Sequence, residues 1–214
     1  MANVLITGGT GYIGRALIPE LMRRGHGVKA LTRPGSENKL PPGAAAIAGN
    51  PLDSESVRQA IGGSDTLVHL VGVPHPSPAK AQQFREIDLV SVQASVAAAR
   101  AGGIRHFVYV SVAHPAPVMK EYIAVRMEGE RLIREAGLAA TIVRPWYVLG
   151  PGHWWPLALA PAYWLMERLP STREAALRLG LVRLREMVAA LAHAVDDPPS
   201  GVRIVEPPGI RQAA

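Results

Sequence analysis

Val4-Leu5-Ile6-Thr7-Gly8-Gly9-Thr10-Gly11-Tyr12-Ile13-Gly14 stands near the head of the chain, and Arg15–Arg24 continues it as a helix-like stretch. A buried strand, a glycine-rich turn and a helix start, in that order, form a phosphate cradle. Gly8 permits the tight turn. Gly11 removes a side chain where the backbone must approach a pyrophosphate, and Gly14 lets the helix pack closely on the strand. Unpaired N–H groups and the positive end of the helix dipole then face the anion. Gly8, Thr10, Gly11, Tyr12, Ile13 and Gly14 are the expected cradle residues.

Outward from this motif, apolar runs alternate with helix-like segments, the pattern of a parallel sheet covered on both faces. Strands are expected at Val4–Thr7, Val28–Thr32, Ala45–Ala48, Thr66–Val71, His106–Ser111, Ala140–Arg144, Leu181–Leu184 and Val202–Val205. Helices are expected at Tyr12–Arg24, Ser54–Ile61, Ala79–Ala101, Met119–Ala136 and Arg185–Val195. Gly25 and Gly137 close two of them, and Asp53 or Ser54 caps another. The expected fold is α/β, a doubly wound parallel sheet of Rossmann-like type with a short C-terminal substrate-side extension. One domain is expected over 1–214, with a cofactor half at about 1–145 and a substrate-side segment at about 146–214.

Composition narrows the function classes. The 214 residues are 48% hydrophobic and 19% charged, which suits a packed globular chain. With no cysteine, disulfides, thiolate catalysis and cysteine-ligated metal are excluded. The charge of +6 comes from scattered arginines, which fits an anionic cofactor or an anionic membrane surface. No nucleic-acid-binding motif is present. No secretory leader is visible, so a cytoplasmic setting is expected.

All four tryptophans lie between Trp146 and Leu169. The apolar stretch Trp154–Met166 is too short to cross a bilayer as a helix. The expectation favours a loop and helix that fold over the site and complete the core, ahead of contact with a membrane surface.

The Thr7-Gly8-x-x-Gly11-x-x-Gly14 spacing, the alternating pattern and the later Tyr122-x-x-x-Arg126 together resemble the short-chain dehydrogenase/reductase superfamily. Within it the chain is similar to the atypical branch, which includes NmrA-like proteins and relatives of the NAD(P)-binding accessory subunit of respiratory complex I. Sugar-nucleotide epimerases share the glycine spacing. The resemblance implies that Asn50, Pro51, Leu52 and Asp53 flank adenine and that Val71 and Gly72 lie along the nicotinamide ribose. It also implies that Ser111 faces the substrate, and that Tyr122 and Arg126 hold the Tyr-x-x-x-Lys positions.

The choice of nicotinamide cofactor is readable locally. NAD sites place an acid about 20 residues past the glycine turn to bind the ribose 2′-hydroxyl. Here Leu31-Thr32-Arg33-Pro34 stands instead. An arginine there suits the 2′-phosphate, so NADP(H) is expected over NAD(H), with Arg33 as its contact and Arg15 as a second cation.

In such a reductase the cofactor carries the hydride and the protein supplies a proton. A tyrosine has an ordinary pKa of about 10, and a neighbouring cation lowers it. Tyr122 and Arg126 are four apart and share a helix face. Arg126 keeps the charge of the usual lysine but not its compact geometry. Two outcomes stay open: turnover with Arg126 in the lysine's place, or cofactor binding without efficient turnover. Ser111 is either a donor to the substrate carbonyl or a strand-end serine.

His75, His114 and His153 each follow a strand end, where an open parallel sheet holds its ligands. They and Trp146 are the expected substrate-side residues, with no metal site. His69, inside a strand, reads as a satisfied core histidine. The expected function is an NADP(H)-dependent oxidoreductase reducing a small apolar carbonyl or quinone-like substrate. The alternatives are a non-catalytic redox-sensing or assembly module, and an epimerase-like enzyme. A small molecule is the expected partner, and the chain is expected to be a monomer or homodimer.

Overall fold

A computed structural model describes residues 1–214. The chain runs β1 (Asn3–Thr7), α1 (Tyr12–Arg23), β2 (Gly27–Thr32), β3 (Ala45–Ala48), α2 (Ser54–Ile61) and β4 (Thr66–His69). It continues through α3 (Ala81–Gln83), α4 (Val90–Ala101), β5 (His106–Val110), α5 (Lys120–Glu135), β6 (Ala140–Val143) and β7 (Tyr147–Leu149). It ends with α6 (Ala160–Arg168), α7 (Pro170–Arg178), β8 (Leu181–Arg183), α8 (Leu184–Asp196), β9 (Val202–Val205) and α9 (Pro207–Arg211).

Seven strands form one parallel sheet in the order β3-β2-β1-β4-β5-β6-β9. Chain order reverses between β1 and β4, so the crevice for a ligand opens where the two connections diverge. Alternate residues of the central strands feed opposite layers. Val4, Ile6, Val68 and Val108 pack with α1 and α8, through Leu17, Ile18, Leu21 and Met187. Leu5, Leu67 and Phe107 pack on the other face with Val57, Val92 and Ile133. Burial on both faces explains why these strands read as unbroken apolar runs.

Several boundaries differ from expectation. β4 stops at His69, because the Leu70–Val71 backbone lies against the Gly8 turn. His69 is wholly buried, and the Thr7 and Ser95 hydroxyls lie 3.0 Å from its Nδ1, as expected of a core histidine. The helix expected over Ala79–Ala101 carries a π-helical segment at Phe84–Leu89 between α3 and α4. Leu181–Arg183 leaves the main sheet and pairs with β7 instead. The largest departure is Trp146–Leu169. Val148 packs against the core and Leu149 is buried, but the part from Trp154 onward does not complete the core: Trp154, Trp155, Trp164 and Leu165 are all more than half exposed.

Candidate functional site

The cradle is built from close backbone contacts. Gly8 has φ +79°, and a Cβ there would stand 2.7 Å from the Leu70 carbonyl carbon. A Cβ on Gly14 would stand 2.6 Å from Gly9 Cα, so the first turn of α1 seats directly on the glycine loop. Gly11 is the N-cap, and no side chain caps the helix. Its first amides therefore face the mouth of the crevice without a side-chain acceptor. Arg15 and Arg33, at the rim, are exposed and form no ion pair. A loop that any Cβ would fill, a bare helix N-terminus and two unpaired cations fit a dinucleotide diphosphate.

Beyond β3, Asn50 and Asp53 are tied into the start of α2. Asp53 accepts from the Ser56 amide at 2.8 Å as N-cap, and Asn50 Oδ1 accepts from the Leu52 amide at 3.0 Å. Pro51 and Leu52 are half-buried between them. The acid and the amide at this edge thus hold the turn, and the cap at Asp53 agrees with the sequence.

Tyr122 and Arg126 share one face of α5. The Arg126 guanidinium carbon lies 5.2 Å from the Tyr122 ring centroid, over its face. Arg126 is 5% exposed; its two Nη groups are engaged, while its Nε is buried without a partner. It donates to Asp88 Oδ1 at 2.6 Å and to the Val110 carbonyl at 3.0 Å. Asp88 also accepts from the Val73 amide at 2.9 Å. Burial pushes the Asp88 carboxyl up, and the Arg126 charge opposes that shift. Gly72 is what admits the guanidinium, since a Cβ there would run into Arg126 Nη2. Val71 and Gly72 thus roof the ion pair and border the crevice at the same time.

Asp88 escaped sequence reasoning. A signal was present: it is a lone acid inside the apolar run Ile87–Val90. The π-helical segment sets it one step out of α-helical register, facing the end of β4.

A second buried network surrounds Ser111. Its hydroxyl donates to Glu130 Oε1 at 2.7 Å, so its one proton points away from the crevice. Arg144 grips the same carboxylate through Nε at 2.8 Å and Nη2 at 2.5 Å, and reaches Glu206 at 2.9 Å. Burial opposes the Glu130 charge, but the Arg144 and Ser111 hydrogen bonds outweigh it and hold this carboxyl below its usual range. Arg126 and Glu130 are four residues apart, so one helix face carries both networks.

The three strand-end histidines separate into two places. His75 and His153 stack at 5.1 Å between centroids, and His153 meets the Tyr12 ring at 4.4 Å. His114 lies apart, 3.6 Å from Glu130. The Gly150–His153 loop therefore closes over the cradle. A Cβ on Gly150 would strike the Tyr12 hydroxyl, which is buried and has no hydrogen-bond partner. Trp146 packs edge-on to Tyr147, which packs edge-on to Trp155.

A doubly wound sheet with a glycine cradle at its switch point defines a dinucleotide-binding Rossmann-type protein. The chain belongs to the NAD(P)H-binding family, which matches residues 8–150. It is an atypical short-chain dehydrogenase/reductase-type protein. It is 29% identical over 172 residues to 2-alkyl-3-oxoalkanoate reductase of Stenotrophomonas maltophilia, covering 70% of this chain and 52% of that protein. It is 28% identical over 170 residues to a 4-hydroxy-2-methyl-3-oxo-4-farnesyl-3,4-dihydroquinoline-1-oxide ketoreductase of Stigmatella aurantiaca, covering 69% and 51%. The chain thus spans about half the length of these curated relatives. In fold it matches the Bordetella bronchiseptica enzyme WbmH in complex with NAD+, with TM-score 0.71, 21% identity and 96% of this chain and 75% of that one covered. No helix is long and apolar enough to cross a membrane.

Proposed function

We propose that this chain binds NADP(H) and reduces the carbonyl of a small molecule with an apolar body. The carrying observation is the cradle: Gly8 and Gly14 leave no room for a Cβ, and Arg15 and Arg33 stand at its rim with no acid to neutralise them. Thr10, Gly11, Tyr12 and Ile13 hold the diphosphate, and Arg33 takes the 2′-phosphate. Asn50, Pro51, Leu52 and Asp53 form the adenine edge through backbone and turn. Val71 and Gly72 run along the nicotinamide ribose. When bound, the cofactor supplies the hydride.

Tyr122 supplies the proton to the carbonyl oxygen. Arg126 lies over its ring face and is held off the ribose by its own contacts, Nη2 on Asp88 and Nη1 on the Val110 carbonyl. Ser111 fixes Glu130 and thereby the floor of the site. His75, His153 and Trp146 form the substrate side, with His114 behind them on Glu130. The curated relatives support an apolar carbonyl: their names specify an oxoalkanoate with an alkyl branch and a farnesylated quinoline.

A specific observation favours a second reading. Asp88 pairs with Arg126, so the cation beside Tyr122 is already matched by a carboxylate. A site so balanced suits cofactor binding without efficient turnover. Following NADPH absorbance against long-chain 3-oxo compounds and quinones separates the two. Turnover that Tyr122→Phe abolishes supports the enzyme, and saturable NADPH binding with no turnover supports the binding module.

A further inference from the structure

The residues from Trp154 to Leu169 form an outward apolar face. Trp154 is 52% exposed, Trp155 64%, Trp164 59%, Leu165 54% and Leu169 46%. Monomeric surfaces seldom gather this many large apolar side chains in one contiguous segment. The segment is helical along most of its length, yet its helices are too short to span a bilayer.

A groove of about 780 Å³ lies at the foot of this face, outside the cofactor crevice. Ala16 and Pro19 of α1, Leu184 and Val188 of α8, and Trp154 and Leu157 wall it. Arg183 and Arg185 line it too, as do Glu20 and Arg23, which pair with each other. It joins the apolar face through Trp154 and Leu157, whose side chains continue its apolar wall.

Charge complementarity identifies the occupant. Most arginines of this chain hold a carboxylate, as Arg24, Arg131 and Arg144 do. The exceptions are Arg15 and Arg33 at the cofactor cradle, Arg100, and then Arg168, Arg173, Arg183 and Arg185. Of these last four, Arg168 lies within the apolar segment, Arg173 follows it, and Arg183 and Arg185 line the groove beside it; all four are exposed. Arg168 lies with its guanidinium carbon 3.3 Å from the Trp164 ring centroid. An indole capped by a guanidinium presents an apolar body and a charged tip, the arrangement suited to a headgroup boundary. A second copy of the chain would bring the same excess of unpaired arginines against it, whereas a layer of anionic headgroups neutralises them.

We infer that the Trp154–Leu169 face, with its flanking arginines and the α1–α8 groove, docks this protein on an anionic phospholipid bilayer in a monotopic manner, with an acyl chain seated in the groove. Trp155, Trp164 and Leu165 enter the acyl boundary, and Arg168, Arg183 and Arg185 meet phosphate oxygens. The inference does not rest on the reaction proposed above.

Vesicle flotation of the whole chain tests it, using phosphatidylglycerol–phosphatidylcholine vesicles against phosphatidylcholine alone. Three of the four tryptophans, Trp154, Trp155 and Trp164, lie in this face, so intrinsic emission reports mainly on it, with Trp146 as a constant background. The expected result is co-flotation with the anionic vesicles only, a blue shift of emission, and weakening as salt is raised. The double variant Trp155→Ser/Trp164→Ser loses co-flotation about ten-fold or more. Arg168→Gln/Arg185→Gln weakens it several-fold, and Met127→Ser, an exposed apolar residue on α5, leaves it unchanged. Circular dichroism and the thermal midpoint of each variant stay at the parent value. Three results overturn the inference: no co-flotation with anionic vesicles; equal binding to neutral vesicles; or a concentration-dependent dimer, dissolved by the tryptophan variant, in a chain that ignores vesicles. NADPH affinity measured on the same samples distinguishes loss of membrane docking from loss of the cofactor site.

Discussion

Helix α1 and the α6–α7 pair are both rich in apolar residues, but they direct them oppositely. Leu17, Ile18 and Leu21 of α1 are completely buried against the sheet, while Trp164, Leu165 and Leu169 face outward. The difference follows from what each helix has to pack on. α1 returns from the switch point across a sheet whose Val4, Ile6 and Val68 need cover. That face is closed by α1 and α8, which leaves α6 no sheet surface to cover. The cofactor half is therefore rigidly specified by packing, and the later segment presents surface.

This contrast can be broken most severely at the cradle. Gly14→Val places side-chain atoms where the Gly9 and Gly8 backbone already stands, so NADPH binding is expected to vanish in calorimetry. A retained affinity would remove the glycine loop from the diphosphate site. The next largest effect belongs to the buried ion pair. Asp88→Ala leaves Arg126 uncompensated and is expected to lower unfolding stability by about 3–5 kcal/mol, measured by urea denaturation. A loss below about 1 kcal/mol would mean that water reaches the pair in solution.

Arg33→Ala sharpens the cofactor assignment. Losing one charge-assisted contact is expected to weaken NADPH by about 1.5–3 kcal/mol, roughly ten- to a hundred-fold, and to leave NADH unchanged. Equal weakening of both would assign Arg33 a general role at the rim.

Stability against pH separates buried from exposed histidines. Burial holds His69 down at about 3 and His106 at about 4, well below the ordinary value of 6.5. The unfolded chain then binds more protons than the folded one between about pH 6.5 and these values. Stability from both groups is present above pH 6.5 and is lost as pH falls through that window. The urea midpoint should drop from pH 7.5 to pH 5, and His106→Gln should flatten the drop. A pH-independent midpoint would mean that neither ring is desolvated. The smallest effect is expected on the outward face: Trp155→Ser should shift unfolding stability by less than about 0.5 kcal/mol.

The fold was legible because its signals are local. Val4–Ile6, Leu67–Val68 and Phe107–Val108 are buried on both faces, and continuous apolar runs declare that directly. The cradle was legible because each glycine answers a steric demand at a fixed spacing. The partners of Arg126 and Ser111 were not, because Asp88 and Glu130 meet them only once the π-helical segment and α5 are packed. Nor did the sequence separate His114 from His75 and His153, since all three follow strand ends. The Trp146–Leu169 segment misled for a related reason. Aromatic content says that a surface must be covered, not by what, and here α8 takes the core position that the tryptophans were expected to fill.

Titrating the chain with NADPH and with NADH in a calorimeter tests the central claim most directly. Saturable one-to-one binding of NADPH is expected, with NADH weaker. No saturation with either nucleotide at millimolar concentration would contradict it.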